Sequence, residues 1–225
     1  MPHFDIVKAA NVKPTYRVAR VMADYDVKTE HAKERFTGEI IYPEDWHIGC
    51  IVGGSGTGKS TIAKELFPEN LWGGGLWSAP SVLDDMPKSA SMDEIEKMFY
   101  AVGFGSVPSW LKPFSVLSNG EKMRVELARA LLEKDFVVFD EFTSVVDRQV
   151  AQTASMAIHK AIHRTGKKFV AVTCHYDVLE WLQPDWVFDT NEMRSFFMTG
   201  RDRKNNLRSD NASAASGKSF GVITI

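Results

Sequence analysis

The stretch from Gly53 to Ser60, with the sequence Gly-Gly-Ser-Gly-Thr-Gly-Lys-Ser, places the strongest constraint on how this chain can fold. It matches the P-loop pattern G-x-x-x-x-G-K-[ST] without a substitution. Glycines let successive backbone N–H groups wrap around a polyphosphate, and the following helix points its positive N-terminus at the anion. A buried strand, His47–Val52, precedes the motif, and a helix opens after it at Thr61–Leu66. The octapeptide therefore predicts a phosphate-binding loop between a strand and a helix.

The P-loop pattern also assigns roles to its own residues. Lys59 is expected to reach the β- and γ-phosphates of a nucleotide, and Ser60 is expected to ligate Mg²⁺. The other predicted nucleotide contacts in this region are Gly53, Gly54, Ser55, Gly56, Thr57, Gly58 and Thr61. The alternative interpretation is a glycine-rich turn that binds nothing, and the complete match to the pattern disfavours it.

Composition and charge exclude several protein classes. The 225 residues are 44% hydrophobic, which suffices for a substantial core, and the formal net charge of −2 gives no global electrostatic case for nucleic acid or an anionic membrane. Cys50 and Cys174 each lie in an apolar run, so we expect two buried free thiols and a reducing compartment. The chain has neither the apolar run of a membrane span nor the N-terminal layout of a signal peptide. We therefore expect a soluble, cytoplasmic protein.

Hydrophobic periodicity predicts an α/β fold. Residues 1–46 are expected to form a β-rich entry segment, in which Tyr16–Met22 and Glu39–Tyr42 are antiparallel strands separated by an exposed loop or helical turn at Thr29–Arg35. Further on we predict helices at Met92–Val102, Ser118–Glu133, Val150–Arg164 and Asp177–Leu182, and strands at Phe136–Phe139, Lys168–His175 and Asp185–Asp189. This alternation predicts a three-layer sandwich around a mostly parallel sheet, with the ligand at the carboxyl ends of the strands.

Two carboxylates follow the apolar run Phe136–Phe139. Asp140 closes a predicted buried strand, where a carboxylate can hold Mg²⁺ through its waters. Glu141 is placed to orient or deprotonate an attacking water. The pair predicts hydrolysis at the phosphate site.

A triple glycine between two tryptophans, Leu71–Trp77, is harder to place. The two large rings are either core pieces around a tight turn or part of a partner surface.

The order of these motifs resembles that of the ABC class of P-loop ATPases over Tyr16–Asp189. Five elements carry the resemblance: Walker A at Gly53–Ser60, the signature loop at Leu117–Glu121, Walker B at Phe136–Glu141, the D-loop at Ser144–Asp147 and the switch histidine, His175. The resemblance implies an ABC-type P-loop sandwich with a shortened helical subdomain. It implies a Mg²⁺-dependent ATPase in which Glu141, His175 and Lys59 are catalytic.

The resemblance further implies a composite site. In this family two nucleotide domains pack head to tail, so that the signature loop of one subunit closes over the ATP held by the P-loop of the other. The resemblance implies that Ser118, Gly120 and Asp147 then contact the nucleotide. Ser118 suits a γ-phosphate, because it offers a hydroxyl and free N–H groups at a helix N-terminus. ATP would bridge two copies, and its hydrolysis would reopen the dimer.

This chain departs from the family pattern in its signature loop and Q-loop. Asn119 and Glu121 replace a glycine and a glutamine of the usual signature. No glutamine precedes Gln149, so the Q-loop glutamine is missing; the candidate replacements are Ser78, Asp84 and Asp85.

The region between the P-loop and the signature loop is also short. Only 59 positions separate Lys59 from Ser118, fewer than in transporter subunits of this family. An aromatic residue upstream of the P-loop should stack on adenine; Tyr25 is our first choice, with Tyr16 and Phe36 as alternatives.

We expect residues 1–208 to form the ATPase domain and 209–225 a disordered tail, with a basic cluster at Arg201–Arg208. The leading hypothesis is a stand-alone ATPase that dimerises with ATP and acts on an unknown macromolecular partner. The alternatives are a transporter's nucleotide-binding subunit, a nucleic-acid-associated ATPase that uses the basic cluster, and an ATP-gated binding switch.

Overall fold

The computed structural model describes residues 2–9, 15–26 and 33–198. The strands are β1 (His3–Ala9), β2 (Lys33–Glu39), β3 (Ile48–Val52), β4 (Phe136–Phe139), β5 (Lys168–Thr173), β6 (Trp186–Asp189) and β7 (Arg194–Phe197). The helices are α1 (Tyr16–Asp24), α2 (Lys59–Leu66), α3 (Met92–Ala101), α4 (Val107–Trp110), α5 (Asn119–Glu133), α6 (Arg148–Thr165) and α7 (Val178–Leu182), and a 3₁₀ turn spans Phe114–Val116.

The main sheet has five strands in the order β4-β5-β3-β6-β7. The first four are parallel, and β7 joins the edge antiparallel to β6. All five residues of β3 are buried, as expected for a central strand covered on both faces. The predicted α/β fold with a mostly parallel sheet is confirmed, and the carboxyl ends of β3 to β6 meet at one edge.

The two faces of the sheet carry separate hydrophobic cores, because successive side chains of a strand point to opposite faces. Ile48, Cys50 and Val52 of β3 belong to a core shared with α3, α5, α6 and α7. Ile51 belongs to a second core with Ile62 of α2 and the β1–β2 ribbon. These two cores are the interfaces of the predicted three-layer sandwich.

In the entry segment, residues 1–46, the structure differs from two of the predictions. Tyr16–Met22 is not a strand but lies in α1, where the side chain of Thr15 accepts a hydrogen bond from the Val18 N–H and caps the helix. Its apolar residues fit a helical 3/4 spacing as well as a strand alternation, and the local cap favours the helix.

The antiparallel ribbon itself exists, but with other residues. β1 pairs with β2 from His3↔Glu39 to Ala9↔Lys33, so of the predicted strand Glu39–Tyr42 only Glu39 belongs to β2, and residues 40–42 follow it. The predicted loop at Thr29–Arg35 is wrong for Lys33–Arg35, which belong to β2, and its earlier part lies outside the described residues.

The described part of the chain contains no helix long and apolar enough to cross a membrane. The basic cluster Arg201–Arg208 and the predicted tail 209–225 lie outside the described residues.

Candidate nucleotide-binding site

The P-loop connects the end of β3 to the start of α2, as its sequence predicts. Gly58 forms the left-handed N-cap of α2 with φ +89°, and a Cβ at this position would lie 2.7 Å from the ring of Phe36. Only glycine meets both demands. The cap position makes no side-chain hydrogen bond, so the first N–H groups of α2 are available to an anion.

Lys59 and Thr57 both bond back across the loop. The Lys59 ammonium donates to the Gly54 carbonyl at 2.6 Å, and the Thr57 hydroxyl donates to the same oxygen at 2.9 Å. The positive charge of Lys59 therefore lies against the P-loop, where it would attract a phosphate group.

The predicted metal ligands meet at the carboxyl edge of the sheet. The Ser60 hydroxyl donates to Asp140 Oδ1 at 3.1 Å, and the Glu141 N–H donates to the same oxygen at 2.9 Å. The described residues contain no group of three or more His, Cys, Asp or Glu side chains that could hold a metal. A hydroxyl and one carboxylate suit Mg²⁺, which usually takes few protein oxygens and fills its octahedron with phosphate and water.

The turn after β4 has unusual backbone geometry. Glu141 and Thr143 adopt left-handed conformations with φ +55° and +68°. Such conformations are uncommon without glycine and concentrate at functional sites. Here the turn buries Thr143 and leaves Glu141 exposed beside Asp140.

His175 lies two residues beyond β5 at the same edge, with its N–H donating to the Thr173 hydroxyl at 3.2 Å. The next residue, Tyr176, leads to the P-loop through side chains that the sequence analysis did not single out. Its hydroxyl donates to Asp189 Oδ2 at 2.7 Å and accepts from Asn191 Nδ2 at 2.8 Å. The side-chain oxygen of Asn191, Oδ1, accepts from the Gly54 N–H at 3.1 Å. Burial and the bond to Asp189 raise the pKa of Tyr176 to about 12.

The D-loop and the switch region are joined by an ion pair. Arg148, which follows the D-loop, pairs with Asp177, which lies two residues after His175. Asp147 caps α6 by accepting from the Val150 N–H at 2.9 Å. Two loops that the family resemblance assigns to the nucleotide are thus linked in this chain by a charge-assisted contact.

Ser118 is the N-cap of α5, at the start of the helix predicted at Ser118–Glu133. Its hydroxyl donates to Glu121 Oε2 at 2.8 Å and accepts from the Glu121 N–H, which completes a capping box. The Ser109 hydroxyl donates to the other Glu121 oxygen at 2.7 Å. Bonds from Ser109 and from the Ser118 backbone hold the pKa of Glu121 below its usual range. The extra carboxylate of the signature loop is therefore bound within its own subunit.

Gly120 lies where α5 approaches α6. A Cβ at this position would come within 2.9 Å of Val150 Cγ1. The glycine of the signature loop thus has a packing role, whatever its contact with nucleotide.

The three candidate Q-loop replacements bond locally. Asp85 accepts from the N–H groups of Ser78 and Ala79 at 3.0–3.3 Å, and Asp84 accepts from the Ser81 hydroxyl at 2.6 Å. These bonds stabilise the turns between α2 and α3, and their assignment to the nucleotide stays a prediction.

The adenine-stacking residue also stays a prediction. Tyr25 lies at the C-cap of α1 and is 76% exposed, and Tyr16 is 80% exposed. Phe36 is buried against Gly58 of the P-loop.

The two cysteines differ in accessibility. Cys50 is buried as predicted, and burial raises the pKa of its thiol. Cys174 is exposed beside His175, so the prediction of a buried thiol is wrong there. The apolar run that contains it ends with β5 at Thr173, and Cys174 lies in the turn beyond.

Comparison with known proteins places this geometry in context. No family model matches the chain. It is 29% identical over 175 residues to the aliphatic sulfonates import ATP-binding protein SsuB 3 of Pseudomonas savastanoi, covering 64% of each chain. It is 25% identical over 119 residues to the ribosome protection protein VmlR of Bacillus subtilis, covering 44% of this chain and 22% of that one. The chain thus spans less than two thirds of the length of either relative.

Solved structures share the fold at lower identity. The dimeric ABC transporter cassette MJ0796 superposes with a TM-score of 0.56 at 15% identity, over 74% of this chain and 93% of that one. A putative metal-chelate type ABC transporter in an inward-facing conformation superposes with a TM-score of 0.58 at 17% identity, over 80% and 83%.

Proposed function

This chain has the fold of the ABC class of P-loop ATPases, and we propose that it binds ATP with Mg²⁺ and hydrolyses it. The observation that carries the proposal is the contact between Ser60 and Asp140, with Glu141 exposed next to it. It brings the P-loop, two candidate magnesium ligands and a candidate base to one edge of the sheet. These are the groups that positioning and electrostatic stabilisation of phosphoryl transfer require.

In the proposed reaction the N-terminus of α2 and Lys59 bind the phosphates. Ser60 and Asp140 would hold Mg²⁺, which when bound supplies positive charge that stabilises the transferred phosphoryl group. Glu141 orients the attacking water and accepts its proton, and His175 contacts the terminal phosphate from the end of β5.

We further propose an ATP-dependent head-to-tail homodimer, in which Ser118 of one subunit contacts the ATP of the other. The likeness to a dimeric cassette supports this arrangement. Ser118 and Asn119 are exposed at the N-terminus of α5, and so are Val145 and Asp147 of the D-loop. A partner subunit would cover both loops.

The Glu141→Gln variant tests the proposal. With its base removed, the enzyme should bind ATP and stay closed, so light scattering after size-exclusion chromatography should show a dimer with ATP and Mg²⁺ and a monomer without them. Glu96→Gln, an exposed change on α3, is the matched control and should hydrolyse ATP like the wild type. A Glu141→Gln protein that stays monomeric under all conditions would contradict the composite site.

The same variant can identify the macromolecule on which the ATPase cycle acts. We propose that the closed dimer is the form that recognises it, so the ATP-trapped Glu141→Gln protein should retain the partner in a pull-down. A nucleic-acid partner would show instead as ATPase activity that rises with added RNA or DNA and loses the increase at high salt.

The second candidate function is a transporter's nucleotide-binding subunit. The relative that matches over 64% of its length is an import ATP-binding protein, which favours this candidate. The missing Q-loop glutamine and the short region before Ser118 disfavour it. Co-purification with an integral membrane protein from a detergent extract would support the transporter candidate over the stand-alone ATPase.

A further inference from the structure

The segment Trp72–Trp77, here called the glycine loop, leaves the sheet edge beside the candidate metal site. Leu71 forms a parallel bridge with Val138 of β4, and the Trp72 N–H donates to the Val138 carbonyl at 2.8 Å. Two residues after the bridge, the segment from Leu71 reaches Gly73 and the segment from Val138 reaches Asp140. The glycine loop therefore starts level with the carboxylate that bonds Ser60.

After Trp72, the next two residues of the glycine loop carry no side chain. Gly73 and Gly74 are exposed, and a Cβ on either would meet no atom within 4 Å. At Gly73 and Gly74 the loop can contribute only main-chain groups to the metal site, and a main-chain contribution depends on where the loop is held.

Glu126 of α5 holds the loop. Its half-buried carboxylate accepts from Trp72 Nε1 at 2.7 Å, from Trp77 Nε1 at 2.5 Å and from the Gly75 N–H at 3.0 Å. Hydrogen bonds to an ionised carboxylate are roughly twice as strong as neutral ones, and here three of them converge on one side chain.

Arg129, about one turn further along α5, adds a second attachment. Its guanidinium donates to the Leu76 carbonyl at 2.6 Å and lies 4.9 Å from the centroid of the Trp77 ring. Glu133 anchors Arg129 at 2.8 Å. Trp77 also stacks on Phe114, with the ring centroids 4.5 Å apart. The loop is thus fastened to α5 at both of its tryptophans and at its main chain.

The helix that holds the glycine loop is the one that Ser118 caps. Glu126 lies eight residues after Ser118, about 12 Å along an α-helix at 1.5 Å per residue. A shift of the N-terminus of α5 is therefore transmitted to the loop through a single continuous helix.

We propose that Glu126 is a positioning residue that couples the partner-facing end of α5 to the glycine loop beside Ser60 and Asp140. Closure of the signature loop over the nucleotide of one subunit then sets the main-chain geometry at the metal site of the other. This inference rests on the proposed ATP-dependent dimer.

Glu126→Gln tests the coupling, because it keeps the size of the side chain but removes the charge and one of the two acceptor oxygens. We expect the Kd for ATP, measured by calorimetry with the hydrolysis-blocking Glu141→Gln change present, to stay within about twofold of the parent, since no P-loop contact changes. In the otherwise wild-type protein, kcat should fall at least about tenfold, and the Hill coefficient for ATP hydrolysis should fall from about 2 toward about 1. Glu96→Gln should change neither quantity.

Trp77→Phe is the second variant, since it removes one donor and leaves the carboxylate in place. It should lower the Hill coefficient in the same direction, and the Glu126→Gln/Trp77→Phe double variant should be no worse than Glu126→Gln alone, as expected for residues that act through one contact. If Glu126→Gln lowers the melting temperature, its loss of kcat could reflect unfolding. The Hill coefficient of Trp77→Phe then tests the coupling.

Two outcomes separate this inference from the proposed function. A wild-type protein without ATP hydrolysis or ATP-dependent dimerisation would overturn both. A cooperative wild type whose Hill coefficient and kcat survive in Glu126→Gln and Trp77→Phe would overturn the coupling and leave the ATPase standing.

Discussion

The Ser60 hydroxyl donates a hydrogen bond to Asp140 Oδ1 across 3.1 Å, although 80 positions separate the two residues. Ser60 lies in the first turn of α2, and Asp140 directly follows β4, two strands away from β3 in the sheet. The parallel order of the strands brings them together, because helix N-termini and strand carboxyl ends meet at one edge. The two side chains form the oxygen pair that Mg²⁺ would use.

Asp140→Asn should lower kcat for ATP hydrolysis by at least about 100-fold, which corresponds to about 2.7 kcal/mol of barrier. The amide is neutral and a poorer ligand, so the charge that holds Mg²⁺ is lost. Steady-state rates against Mg²⁺ concentration measure the effect. Asp135→Asn is the matched control, because Asp135 lies before the other end of β4 and pairs with Lys167. Equal rates in the two variants would contradict the assignment.

Tyr176→Phe should weaken ATP binding about fivefold, since the loss of a hydrogen bond costs about 1 kcal/mol. The change leaves Asp189 and Asn191 without their shared hydroxyl, and Asn191 then holds the Gly54 N–H of the P-loop less firmly. Calorimetric titration with ATP measures the Kd. Tyr100→Phe, an exposed change on α3, should have no effect. An unchanged Kd in Tyr176→Phe would show that this network does not position the loop.

The raised pKa of Tyr176 predicts that the free energy of unfolding falls at alkaline pH. Burial, together with the bond to Asp189, raises the pKa of Tyr176 to about 12 from 10.0. A raised phenol pKa contributes stability that is complete below pH 10 and is lost as pH rises from 10 toward 12, because the unfolded state releases its proton first. Urea unfolding at several pH values should show this loss in the wild type and less of it in Tyr176→Phe. Parallel pH profiles would refute the prediction.

Gly120→Ala should destabilise the wild-type protein, but the same change should stabilise a protein that already carries Val150→Ala. The added Cβ would lie 2.9 Å from Val150 Cγ1, and overpacking of this kind costs about 1–3 kcal/mol. The helix propensity of alanine over glycine offsets roughly 1 kcal/mol of that cost. In the Val150→Ala background the clash is absent, so Gly120→Ala should then stabilise. Thermal unfolding of the four proteins completes the cycle; additive effects would contradict the contact.

Thiol accessibility distinguishes the two cysteines. The native protein should react with one equivalent of a thiol reagent at Cys174, and the unfolded protein with two, because Cys50 is buried and its pKa is raised. Cys174→Ser should abolish the native reaction. Two fast equivalents in the native state would mean that β3 opens to solvent.

The motifs with local geometry could be predicted from the sequence. The P-loop, the capping box of Ser118 and Glu121, and the buried strands around Cys50 and Val138 depend on neighbours within a few positions, and all of them form. Tyr16–Met22 shows the limit of such reasoning. Its apolar residues satisfy both periods, and the cap at Thr15 resolved the choice in favour of a helix.

The remaining features depend on residues that are far apart in the chain. The glycine loop carries no readable sequence signal for its attachment, because its partner, Glu126, lies about 50 positions away and looks like a surface residue of an amphipathic helix. In the link from Tyr176 through Asn191 to Gly54, the last two residues are 137 positions apart, and no sequence pattern predicts their contact. Residues 47–66 by themselves determined that a P-loop connects a buried strand to a helix. Only the tertiary structure decided what surrounds that loop, because the order of parallel strands in the sheet selects which distant side chains meet there.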